Sequence, residues 1–129
     1  MRKILKVAAD VACALAAVIL IVFAVMFFSG IRPAVVISGS MEPTITTGSL
    51  AFIDTKYDEL EKNDIVAFER GGTMVIHRLI AYSDTGWITK GDANEDDDPW
   101  RVEDSEIKGK TVFWVSRLGY LIGKGERKW

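Results

Sequence analysis

Three short stretches of this sequence carry side chains suited to acyl-transfer chemistry. Ser38-Gly39-Ser40-Met41-Glu42-Pro43 follows directly on the β-branched run Ala34-Val35-Val36-Ile37. A serine at a strand-to-turn junction is presented outward, and a neighbouring glycine lets another chain approach the backbone closely. An ordinary Ser/Gly turn closed by proline has the same letters, so this stretch alone does not define a nucleophile. His77, the single histidine of the chain, lies within Met74-Val75-Ile76-His77-Arg78-Leu79-Ile80. Strand alternation puts it on one face with Val75, Leu79 and Ala81, and such a surrounding disfavours the imidazolium and leaves a ring able to accept a proton. A core histidine bonded to a backbone carbonyl is the plainer alternative. The third stretch, Lys90 to Trp100, holds four aspartates and a glutamate within seven residues. Their mutual repulsion points beyond solubility.

Two roles suit that acidic stretch besides a solvated loop. One carboxylate can orient His77. The other role is calcium binding, because Asp92, Asn94, Asp96, Asp98, Trp100 and Glu103 have the spacing of an EF-hand loop. The glycine such a loop needs at its sixth position is replaced by Asp97, Pro99 follows two positions later, and neither flank reads as a helix. An EF-hand is therefore not expected, and no metal is assigned.

The elements that must position these groups fall into two zones. Val11 to Phe28 contains no charged residue in 18 positions, the threshold length for a membrane span. Arg2, Lys3 and Lys6 precede it, so the positive-inside tendency puts Met1 in the cytoplasm and the rest of the chain outside. The run is longer than the apolar region of a cleaved signal peptide and ends in Met26-Phe27-Phe28 without a small-x-small site, which favours a retained anchor. Residues 1–8 are expected in the cytoplasm, 9–29 as a transmembrane helix and 30–129 as an extracytoplasmic β-rich domain. Beyond Pro33 the pattern changes to Ala34–Ile37, Leu50–Ile53, Ile65–Phe68, Met74–Tyr82, Trp87–Thr89 and Lys110–Val115, each bounded by turn residues. That many short strands predict a mainly β fold, a small antiparallel barrel or sheet. Asp58–Lys62 reads as at most one helical turn, and Tyr120–Gly123 is too short for a second span, with Arg117 interrupting any longer apolar reading. Leu118–Trp129 is compatible with a strand, a surface segment or a membrane-adjacent tail.

Composition excludes several classes. Three of the 16 basic and one of the 18 acidic residues lie in the first 30 positions, so the remainder carries a net charge of −4. No basic stripe suited to nucleic acid is visible. The lone cysteine, Cys13, lies inside the apolar run, which excludes an internal disulfide and a CxxC redox pair, and one histidine excludes a multi-histidine metal site. Neither GxxxxGK[ST] nor GxGxxG occurs, so no cofactor is expected.

Ser-Gly-Ser-Met-Glu-Pro at 38–43, Asn-Asp-Ile-Val-Ala-Phe at 63–68, Ile-His-Arg at 76–78 and Lys-Gly-Asp-Ala-Asn at 90–94 stand in the order and spacing of type I signal peptidase. The chain resembles that family from about residue 33 to residue 120, and most closely its archaeal and endoplasmic-reticulum branch, where histidine replaces the bacterial lysine. The resemblance implies Ser40 as nucleophile, His77 as general base and Asp98 as the acid held to be catalytic. Asp92 matches a more structural acidic position, and Ser38 a side chain that assists the Ser40 backbone N–H in the oxyanion hole. A one-residue slip along Asp96-Asp97-Asp98 would move the acid role to Asp97, and Asn63 stands where the family has glycine.

The resemblance further implies a membrane-anchored serine endopeptidase that removes signal peptides from exported preproteins. Its partners would be those signal peptides, membrane lipid around the anchor and Phe27-Phe28, and the secretion translocon, with no nucleic acid. Val35, Val36 and Ile37 are the candidate substrate-binding residues, pairing edge-on with an extended peptide. A Ser–Lys mechanism through Lys62 or Lys90, a non-catalytic scaffold subunit of the same fold and a calcium-responsive surface domain are the alternatives.

Overall fold

The computed structural model describes residues 1–116. The expectations for Arg117, Tyr120–Gly123 and Leu118–Trp129 lie outside the described residues. The chain divides into two compact units after Gly30.

The first unit is one helix, α1, Arg2–Ser29, of 28 residues. At ~1.5 Å per residue it measures about 42 Å, more than a hydrocarbon core of ~30 Å requires. It begins earlier than the apolar run because Arg2 to Ala9 contains good helix formers and no breaker. None of its residues is buried, and Leu15, Leu20, Phe23 and Phe28 stand exposed on it. A helix apolar all round satisfies its own backbone polar groups and suits a hydrocarbon solvent; it is long and apolar enough to cross a membrane. Gly30 ends it in the left-handed region, at φ 85°, with its N–H bonded to the carbonyls of Met26 and Phe27.

Among the described residues the second unit is an antiparallel sheet of six strands: β1 Ile31–Val35, β2 Leu50–Asp54, β3 Ile65–Arg70, β4 Thr73–Ser83, β5 Gly86–Lys90 and β6 Ile107–Val115. Their spatial order is β1-β2-β6-β3-β4-β5. The sheet is open, not a closed barrel, with β1 and β5 at its edges. Pro33 is accommodated because an edge strand has one side without ladder bonds. Asp58–Lys62 forms no helix; the Glu61 N–H turns back onto Asp64 Oδ2 instead. A short 3₁₀ turn at Asp104–Glu106, closed by a capping box between Glu103 and Glu106, precedes β6 and adds to the expected elements.

Four successive residues of β3, Ile65 to Phe68, are buried, because its alternate side chains feed two cores. Val66 and Phe68 pack with Leu79, Trp87, Val102 and Ile107. Ile65 packs with Val36, Met41, Ile45 and Ala51. The strand that neighbours His77 is therefore held from both sides.

A bulge in β4 corrects one expectation. Leu79 pairs with Thr89 but Ala81 pairs with Ile88, leaving Ile80 as the extra residue. Since Thr89 and Ile88 face opposite sides, Ala81 does not share the face of His77 and Leu79, and it is exposed.

Candidate active site

Ser40 sits in a turn that the core holds in place. Met41 and Ile45 are buried in the second cluster, and the Ile45 N–H closes onto the Met41 carbonyl at 2.9 Å. These two plugs fix the segment at its base while Ser38 and Gly39 stay exposed. From the other side, the Ala93 N–H donates to the Ser40 carbonyl at 2.9 Å, tying the acidic loop to the serine turn. Gly91 permits this approach, since a Cβ there would lie 2.6 Å from the Ser40 carbonyl oxygen and 3.1 Å from His77 Nε2. Any larger residue would push the loop and the turn apart.

His77 lies on β4, paired to Val66 of β3, and is 6% exposed. The Phe68 ring meets its imidazole edge-on at 6.2 Å between centroids. The ring bridges two elements: Nε2 lies 3.2 Å from Ser40 Oγ, and Nδ1 lies 2.6 Å from Asp98 Oδ2. With the Nδ1–H donating to the carboxylate, Nε2 is left as the acceptor for the Ser40 hydroxyl. This is the arrangement in which an imidazole can take a proton from a serine as its oxygen attacks a carbonyl.

The structure separates the aspartates that the sequence left side by side. Asp98 is 7% exposed and meets His77, whereas Asp96 and Asp97 point into solvent. Asp98 is also anchored by a residue that sequence reasoning missed. Thr89 donates its hydroxyl to the same Oδ2 at 2.6 Å, and its carbonyl accepts the Asp98 N–H at 2.7 Å.

Asp92 does not reach the imidazole. It accepts Arg78 Nε–H at 2.9 Å and Nη2–H at 2.7 Å, plus the Thr44 hydroxyl at 2.6 Å. The Arg78 hydrogen bonds hold its carboxyl below the usual carboxylate range against the opposing effect of burial, and Asp92 raises the Arg78 guanidinium in return. Arg78 also donates to the Asn63 carbonyl at 2.8 Å. Asn63 adopts φ 78°, a left-handed conformation that asparagine tolerates, so it can stand at a glycine position. Asp92, Arg78 and Thr44 thus clamp the acidic loop to β4 and to the serine turn. Arg78 belongs to the Ile-His-Arg motif, and nothing in its spacing marks it as the partner of Asp92.

The remaining candidates fall as follows. Ser38 Oγ lies 3.2 Å from Ser40 Oγ. Val35 and Ile37 are exposed on the β1 side, but Val36 is buried, its N–H donating to the Ser49 carbonyl and its own carbonyl accepting the Gly48 N–H. By strand alternation that leaves the backbone groups of Val35 and Ile37 turned to the free edge. Among the described residues the hydrogen-bond partners of the Ser40 hydroxyl are Ser38 and His77, not a lysine; Lys62 is exposed and Lys90 faces away from Thr89. In the EF-hand reading Asp92 and Asp98 would share one centre, yet they turn to different partners, Arg78 and His77.

A hydroxyl from a turn, an imidazole from β4 and a buried carboxylate from a loop thus stand in series, the order of groups used by serine hydrolases. The chain belongs to the peptidase S24-like family, whose model matches residues 33–112. It is similar to signal peptidase I W of Bacillus subtilis (strain 168), 36% identical over an alignment of 96 residues, with 64% of this chain and 50% of the relative covered. It is also similar to the signal peptidase complex catalytic subunit SEC11 of Colletotrichum graminicola, 33% identical over 102 residues, 67% of this chain and 59% of the relative. The human catalytic subunit SEC11C is 39% identical over 72 residues, 50% of this chain and 38% of that protein. The match thus spans about half to three fifths of the first two of these relatives. Their names bear out the resemblance to signal peptidases read from the motifs.

Proposed function

We propose that the protein is a membrane-anchored serine endopeptidase that cleaves signal peptides from exported preproteins. The observation that carries this reading is the unbroken hydrogen-bond series from Ser40 through His77 to Asp98. His77 Nε2 takes the Ser40 proton as Oγ attacks the scissile carbonyl. The tetrahedral intermediate collapses with cleavage of the C–N bond, and the imidazolium returns its proton to the leaving amine. Water then attacks the Ser40 ester by the same route and restores the serine. Asp98 fixes the ring's tautomer and stabilises the imidazolium formed along the way.

The Ser40 backbone N–H and the Ser38 hydroxyl bind the oxyanion in this proposal. The proximity of Ser38 to Ser40 Oγ supports it, and one such donor is worth about 3–4 kcal/mol of barrier in a serine protease. An extended signal-peptide segment adds along the free side of β1 and the residues just after it, through the backbone of Val35 and Ile37. Ile37, 70% exposed beside the serine turn, offers apolar surface to small substrate side chains. Helix α1 anchors the chain with residues 1–8 in the cytoplasm and the sheet outside, as the basic N-terminus favours, with lipid around the anchor and the translocon as source of substrate.

The test is cleavage of a preprotein carrying an Ala-x-Ala site by the detergent-solubilised full chain, beside Ser40→Ala and His77→Ala. Both variants are expected to lose about 10³-fold or more in kcat while remaining folded. Wild-type silence across several such substrates, with folding shown, would replace the enzyme by a scaffold of the same fold. Full activity in His77→Ala would support a Ser–Lys route and remove the triad.

A further inference from the structure

The Asp98 carboxylate has a second restraint that the proposed chemistry does not by itself require. Thr89 is fully buried on β5. It holds Asp98 twice, by a hydroxyl donated to Oδ2 at 2.6 Å and by its carbonyl accepting the Asp98 N–H at 2.7 Å. Oδ2 is the oxygen that also accepts His77 Nδ1–H. Two donors converging on one oxygen fix the plane of the carboxylate, whose terminal torsion is otherwise broad. The β4 bulge at Ile80 sets this meeting, because it brings Thr89 opposite Leu79, on the face of His77.

We infer that Thr89 is a positioning residue for the triad: its hydroxyl locks Asp98 in the orientation that holds the His77 ring against Ser40. This rests on the serine-endopeptidase reading, and it assigns the residue a role through Asp98 instead of contact with substrate. A threonine whose hydroxyl merely satisfied itself in the core would do as well with any acceptor. Here the hydroxyl points to the carboxylate that His77 Nδ1 meets, and the paired main-chain bond sets its distance.

The substitutions that separate the two roles are Thr89→Val and Thr89→Ser. Valine keeps the β-branched shape and strand preference and removes the donor, and serine restores the donor. In the full chain in detergent, Thr89→Val is expected to lower kcat about tenfold with KM within about twofold, and Thr89→Ser to recover most of it. A second readout does not depend on turnover. His77 is the only histidine, so ¹⁵N-histidine labelling reports the two ring nitrogens of a single imidazole, and the Nδ1–H resonance is expected to shift in Thr89→Val and return in Thr89→Ser. An unchanged imidazole signal in folded Thr89→Val overturns the inference, as does an unchanged kcat. If wild type and Ser40→Ala are equally silent, the enzyme reading fails, and the imidazole signal alone decides whether Thr89 positions Asp98.

Discussion

Asp92 and Asp98 stand on one acidic loop, six residues apart, and the fold gives them opposite surroundings. Asp98 is buried, and its Oδ2 is shared by an imidazole and a threonine hydroxyl. Asp92 keeps a permanent cation, Arg78, gripped through two nitrogens, with Thr44 as a third donor. A carboxylate facing a guanidinium, which does not give up its proton, can only hold structure. A carboxylate facing an imidazole can respond when that ring gains a proton. The two carboxylates share residue type and loop, so it is the partner that sets what each could do: Asp98 faces an imidazole able to change its charge, and Asp92 a cation that stays fixed.

Breaking each acid separately is the sharpest way to test that division. Asp98→Asn is expected to have the largest effect, a loss of about 10²–10⁴ in kcat at neutral pH with little change in unfolding temperature. Asparagine can present its NH₂ to His77 and turn the ring to the wrong tautomer. Steady-state cleavage of a preprotein measures it, and near-normal kcat would mean that the two acids are not divided as described.

Asp92→Asn should act on stability first, removing about 1–2 kcal/mol, a charge-assisted pair discounted for its partial exposure. The sign with pH follows from the lowered Asp92 carboxyl. Its contribution is complete above the unfolded value of roughly 3.9 and disappears as pH falls through the lower folded value. Wild type should therefore lose its advantage over Asp92→Asn in acid, and thermal unfolding of both at pH 7 and below pH 3 reads this directly. An equal gap at both pH values would contradict the ion-pair account.

Asp97→Asn should be the smallest, within about twofold in kcat and about 0.5 kcal/mol in stability, because its carboxylate lies in solvent. A large loss in cleavage by Asp97→Asn would move the acid role one residue along the loop.

Much of the organisation was legible beforehand, for identifiable reasons. The apolar stretch from Val11 to Phe28 exceeds what a small core can absorb, so it announces a helix in any context. The strands around Leu50, Ile65, Met74 and Trp87 follow from β-branched runs between turn residues, and each appears within a few residues of its expected bounds. Ser40 and His77 stood out as residue types, and their motifs carried the family resemblance. What escaped were pairings that depend on register. Ile80 gives no local sign of a bulge, yet it sends Ala81 to the other face and Thr89 to that of His77. Val36 looks like its neighbours Val35 and Ile37, but the loop at Gly48-Ser49 takes both of its backbone groups.

Hydrophobic run length, residue periodicity and motif order are local properties, so the two-zone plan, the mainly β character and the family are legible in the chain before it folds. The tertiary structure alone decided that the sheet stays open, that Asp98 and not Asp97 meets the imidazole, that Arg78 claims Asp92, and that Thr89 stands behind Asp98. Each is a contact between residues distant in the chain or a choice among adjacent equals. Such choices are made by strand register, burial and the close approach that Gly91 allows, none of which a single segment encodes.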